Sequence, residues 1–229
     1  MREQSENRFE AAEGARAQAG MYSFLANLFN QRPNLEFVKR LRELGPDGFS
    51  FDVGQGEISA EVKHGLQEMA SFIDETQGWS EDKVEQELAV DWTRLFRGVS
   101  PGYGPPPPYE GVYSEGVGSP ADVLQAIVQV YHKYSVDVDE KAANRPDYFG
   151  IELDFLRHLS ESEARAWEEE DEQKALGYQT AQQEFLSNHL GKWAGKFCER
   201  ALEEAKTEFY RGFLRLTQSV LKEQMERSI

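Results

Sequence analysis

Two acids stand in settings where a carboxyl group can take part in chemistry. Glu152 lies within four residues of Tyr148, Phe149, Phe155 and Leu156, so on a helix its carboxyl projects among apolar and aromatic neighbours. Buried carboxyls are rare unless paired. Two roles fit this one: a bond to a structural arginine or backbone N–H, or a face turned towards a ligand. Asp147 follows Pro146, which reads as the opening of the same helix. An acid in a first turn is favourable in its own right, so Asp147 serves either as a terminal charge or as a contact for a basic ligand. Five positions along an ideal helix turn through about 140°, which sets Asp147 at a groove mouth and Glu152 facing inward.

Other reactive residue types form no recognisable constellation. His64, His132, His158 and His189 are far apart in sequence, and each reads as a surface or capping residue. The single cysteine, Cys198, sits beside Phe197 on an apolar stripe and reads as a small buried hydrophobe. It permits no intramolecular disulfide and no cysteine-rich metal site. There is no HExxH or paired Glu-x-x-His set, and no spacing supports a catalytic triad. Glycine loops of the Walker or Rossmann type are missing; GYGPPPP is stiffened by proline and lacks the free N–H groups that cradle phosphate. The reading is a binding protein rather than an enzyme, with no cofactor or metal.

Charge narrows the partner. A formal net charge of −16 argues against nucleic acid, which needs clustered Lys and Arg, and against an anionic membrane surface. A basic partner such as an arginine-bearing peptide is steered favourably. The opening MREQSENRFEAAEGARAQAG has no apolar core and is not read as a secretory signal. No stretch approaches the roughly 18 apolar residues of a membrane span. A cytoplasmic location without stable membrane insertion is expected.

The elements that position these residues are helical throughout. A first helix is expected over about 8–30, with Met21, Leu25, Leu28 and Phe29 on one face, then a short one carrying Phe37, Val38 and Leu41. After a Gly/Asp-rich loop at 45–57, two helices are expected near 59–77 and 81–96, the second capped by Ser80. Residues 97–118 hold four consecutive prolines and read as one long irregular segment, partly polyproline II. Ser119-Pro120 restarts a helix in the favoured order. From Ile151 to Glu172 nine Asp/Glu face two Arg, a local net of −7, with EEEDE at 168–172 read as a solvated face or turn. Two or three further helices follow, with Leu190, Trp193, Phe197 and Ala201 on one buried stripe and Phe209, Phe213, Leu216 and Val220 on another.

Several segments, taken in order, resemble the signatures of the TorD/DmsD/NarJ-type chaperone family. DWTRLFRG followed by PPYEGVYSEG resembles its first; RPDYFGIELDFLRHL its second; FLSNHLGKWAGKFCERALEEAKTEFYRG its C-terminal one. AGMYSFLANLFNQRPN suits the family's first helix. The resemblance implies an all-α helical bundle of two subdomains, 1–143 with the Pro-rich loop and 144–229, joined by a hinge near Pro146-Asp147. It implies binding of the twin-arginine signal peptide, or the apo form, of a molybdenum oxidoreductase before export. Matching positions make Pro146, Asp147, Glu152, Tyr109 and Tyr113 family-type site residues. The chain departs from the signature at Tyr148, where the family has a titratable His, and at Asn144 and Arg145, where an acid is usual. Members of the family have also been linked to weak guanine-nucleotide binding.

A twin-arginine peptide presents guanidinium groups beside an apolar stretch, so its receptor needs carboxylates next to aromatic walls. Asp147 and Glu152, with Trp92, Tyr109, Tyr113 and Tyr148, are the candidate set. The alternatives are a helical assembly subunit that binds a folded redox enzyme without reading its signal peptide, and a helical enzyme with a closed pocket. Monomer and homodimer are both open.

Overall fold

Five helices start where the sequence offers a side-chain oxygen to the orphan N–H groups of a first turn. The structure, a computed structural model, describes residues 2–49, 59–98, 102–113, 119–137 and 145–226. Among them are ten α-helices and no strand: α1 (Arg2–Asn30), α2 (Leu35–Leu44), α3 (Ala60–Glu75), α4 (Glu81–Phe96), α5 (Glu110–Tyr113), α6 (Pro120–Lys133), α7 (Phe149–Glu168), α8 (Glu172–Asn188), α9 (Leu190–Glu204) and α10 (Glu208–Glu226). Asn34, Ser59, Ser80 and Asp171 each accept an N–H from the first turn of α2, α3, α4 and α8. Ser119 and Asp122 form a reciprocal capping box at α6, with Pro120 at its start. The EEEDE run is the exposed turn between α7 and α8.

Besides the start of α7, three segments differ from the sequence reading. The first helix begins at Arg2 rather than near residue 8, because residues 2–7 (REQSEN) hold no apolar side chain and so leave no periodic signal. The segment 97–118 is not irregular throughout, since it contains α5. The Gly/Asp-rich stretch contains a 3-10 turn at Pro46–Phe49; residues 50–58 of it, like most of the linker before Arg145, lie outside the described residues.

The chain forms two compact units, each drawn from separated stretches of sequence. The first combines the chain up to Asn30 with Tyr109–Trp193. Here α1 packs along α7; Phe29 stacks on Phe149 with centroids 4.3 Å apart, and Tyr131 and Phe185 close on Phe155 at 4.7 Å each. Helices on either side of the 143/144 division thus share one unit.

The second unit combines Gln31–Pro108 with the chain from Ala194. Its core centres on Phe96, which meets Phe197, Tyr210 and Phe213 at 6.2, 5.6 and 6.2 Å. Against α3, α10 packs so closely that a methyl group at Gly65 would stand 2.7 Å from the Gly212 carbonyl oxygen. Asp91, 1% exposed, fastens the start of α10: it accepts the Lys206 N–H at 3.0 Å, the Thr207 N–H at 2.8 Å and the Thr207 hydroxyl at 2.9 Å. Cys198 is buried in this unit, and desolvation pushes its thiol pKa far up, as expected of an inert core residue.

Candidate functional site

The chain enters α7 through a turn held from a distance. Pro146 and Asp147 form that turn, Tyr148 is an N-cap residue with no side-chain capping bond, and the helix starts at Phe149. The Glu110 N–H donates to the Asp147 carbonyl at 2.9 Å, and the Gly111 N–H donates to Asp147 Oδ2 at 3.0 Å. The Tyr131 hydroxyl donates to the Pro146 carbonyl at 3.0 Å. Asp147 therefore fastens α5 to the approach of α7 rather than charging a first helical turn. It is 1% exposed, so neither the 140° estimate nor the groove-mouth position applies.

Asp147 Oδ1 receives the Arg145 Nε–H at 3.2 Å. The same guanidinium lies 3.4 Å from the centroid of the Tyr109 ring. Tyr109 and Tyr148 form an isolated antiparallel bridge, with ring centroids 5.3 Å apart. The Tyr148 hydroxyl donates to the Phe29 carbonyl at 2.7 Å. Where the resemblance implies an imidazole, this chain thus has a phenol donor committed to α1.

Glu152 lies in the first turn of α7 and is fully buried. Its Oε2 accepts the Trp193 indole N–H at 3.4 Å, and its Oε1 has no hydrogen-bond partner. The partner is an indole, neither the arginine nor the backbone N–H foreseen. Desolvation drives the Glu152 pKa well above the usual carboxylic range. The charge of Glu110 adds to this, the Trp193 hydrogen bond opposes it, and the charge of Asp147 adds again. The neutral acid is the favoured form. Trp193 is itself fully buried, stacked on Tyr113 at 5.7 Å and edge-on to Phe149 at 4.9 Å, the core position its stripe implied.

Two members of this cluster escaped the sequence reading. Glu110 is 4% exposed, and its Oε2 lies 3.0 Å from His189 Nδ1. His189 is the C-cap residue of α8, in keeping with a capping role, yet it is buried and stacks on Phe185 at 5.0 Å. The signal for Glu110 was present in PPYEGVY, an acid set among aromatics as Glu152 is. Tyr131 completes the group: burial raises its pKa most, followed by the charges of Glu152, Glu110, Asp147 and Asp154.

Of the seven residues singled out, only Tyr109 and Tyr148 keep partly open surface; Tyr113, Pro146, Asp147 and Glu152 are buried in the same unit. Trp92 belongs to the second unit, 5% exposed, edge-on to Phe96 at 6.1 Å. Beside His189 a hollow of about 80 Å³ is lined by Val130, Lys133, Tyr134, Ala181 and Phe185, among others. That is well below the roughly 300–1,000 Å³ of small-molecule sites. Among the described residues no group of three or more His, Cys, Asp or Glu could hold a metal ion, and no helix is long and apolar enough to cross a membrane.

A helical unit that buries Glu110, Asp147 and Glu152 behind an aromatic rim, with His189 used as a cap, has the make-up of a binding site. Residues 55–199 match the family described as nitrate reductase delta subunit, well over half of the 229-residue chain, and the chain belongs to that family. It is similar to the chaperone protein TorD of Vibrio cholerae, 27% identical over 209 residues that cover 90% of this chain and 89% of that one. It is also similar to the perchlorate reductase assembly chaperone of Dechloromonas aromatica, 25% identical over 53% of each chain. The chlorate reductase assembly chaperone of Ideonella dechloratans is 31% identical over 38% of this chain and 44% of its own. Each of these three relatives is a chaperone by name.

Proposed function

We propose that this chain is a cytoplasmic assembly chaperone for a molybdenum oxidoreductase, which binds the twin-arginine signal peptide of the apo-enzyme and holds it until the cofactor is in place. Family membership and the two relatives named for reductase assembly support the chaperone role. The observation that carries the peptide reading is the grouping of the Asp147 carboxylate with the half-buried rings of Tyr109 and Tyr148. An acid beside ring faces is what a guanidinium group needs, and the net charge of −16 favours approach of a basic segment. The buried Tyr113, Pro146, Glu152 and Trp193 back this rim rather than line it.

Calorimetric titration with a twin-arginine signal peptide and its Lys-Lys counterpart tests the reading. The expected result is binding of the first and a marked loss with the second. If neither peptide binds while the apo-reductase co-purifies with the chain, the protein recognises a folded partner and the signal-peptide reading is wrong.

A further inference from the structure

Arg145 bonds a carboxylate and covers an aromatic ring at once. Its Nε–H reaches Asp147 Oδ1 at 3.2 Å, and its guanidinium carbon lies 3.4 Å from the Tyr109 centroid. The two contacts are those by which a receptor recognises a guanidinium from another molecule. We propose that Asp147 and Tyr109 form a guanidinium subsite already occupied by the chain's own Arg145, which a basic ligand must displace.

The remaining geometry fits a replaceable occupant in a fixed receptor. Asp147 Oδ2 is tied to the Gly111 N–H at 3.0 Å, and its backbone carbonyl to the Glu110 N–H at 2.9 Å. The carboxylate is thereby held with Oδ1 turned to the cation. Its side chain is 2% exposed, whereas that of Arg145 is 44% exposed, so the receptor is built in and the occupant sits at the surface. With its guanidinium at the surface, Arg145 can give way to another cation without leaving the buried Asp147 carboxylate unpaired. The arginine also stands only two positions before its acid, so release requires rotation of one side chain and no movement of α7.

The consequence is selectivity by competition. A ligand that gains only the Asp147 contact gains nothing net over Arg145, and a lysine lacks the planar fork and the stacking surface. A ligand carrying further contacts, such as a second arginine or an apolar stretch, displaces it. The resident side chain lowers apparent affinity by the fraction of time that it fills the subsite.

The identity of the natural ligand rests on the peptide reading above; the subsite itself does not, so the experiment uses two probes. L-arginine amide and a twin-arginine signal peptide are titrated into the full chain and into Arg145→Gln and Arg145→Gln/Asp147→Asn variants, followed by the Gly111 amide resonance and by calorimetry. Arg145→Gln should bind arginine amide several-fold more tightly than the parent, and the double variant should lose that gain. Equal or weaker binding of arginine amide by Arg145→Gln overturns the proposal. If arginine amide behaves as expected and the peptide binds none of the proteins, the subsite stands and the signal-peptide reading falls.

Discussion

The Trp193 indole N–H donates to Glu152 Oε2 at 3.4 Å, and Oε1 of the same fully buried carboxyl has no partner. An indole can only donate, so it serves the ionised and the neutral acid alike, while burial and the charges of Glu110 and Asp147 favour the neutral one.

Stability should therefore depend on pH through Glu152. Its folded pKa is raised above the ordinary value of about 4.3. The group's contribution is complete below that value and is lost as pH rises towards the folded pKa. Glu152→Gln keeps the shape without the titration. Between about pH 4 and pH 8, the melting temperature of the parent should fall relative to the variant, with the two converging at the acid end. A pH-independent gap in calorimetric scans would mean that Glu152 is ionised when folded.

Truncating the partner should be costly. Trp193→Ala opens a cavity in the first unit and should destabilise by about 3–5 kcal/mol. Trp193→Phe keeps most of the packing but strips Glu152 of its donor, at about 1–3 kcal/mol. Urea unfolding should rank the two in that order.

Asp91 is the corresponding liability of the second unit. Asp91→Ala leaves the Lys206 and Thr207 N–H groups and the Arg94 guanidinium without their acceptor, and losing one partner of such a buried charged group costs about 3–5 kcal/mol. A thermal midpoint within a degree of the parent would show that α10 needs no anchor there.

Crowding makes a further test. Gly65→Ala drives a methyl group against the Gly212 carbonyl of α10, and Gly212→Ala does the reverse. Each should cost about 1–3 kcal/mol through overpacking. For a chain of this size that corresponds to about 2–4 °C in melting temperature for each kcal/mol.

Asp147→Asn separates anchor from charge. The amide oxygen can still accept the Gly111 N–H, so the fold should persist, while affinity for a basic peptide should drop by about 1–3 kcal/mol. Unchanged peptide affinity in calorimetry would confine Asp147 to the anchoring role.

How much of this was readable depended on how local the cause was. Ser80, Ser119 and Pro120 act within one turn, and α4 and α6 start where they predict. Pro146 follows the same rule on paper, yet its turn is kept out of the helix by Glu110, Gly111 and Tyr131, which lie 15 to 37 positions earlier in the chain. The Glu110–His189 contact spans 79 positions, beyond any pattern of spacing. The stripes of α9 and α10 were legible because large aromatics mark them; α1 began earlier than expected because its first six residues, REQSEN, carry no apolar side chain to mark a face.

The interleaving of the two units fixes an order of assembly during synthesis. α3 is made long before the helix it packs against, α10; Glu68 and Arg215, which pair between them, are 147 positions apart. The first unit likewise cannot close until α7 arrives to cover α1. A ribosome stalled between α3 and α7 would thus display two unfinished cores rather than one finished domain.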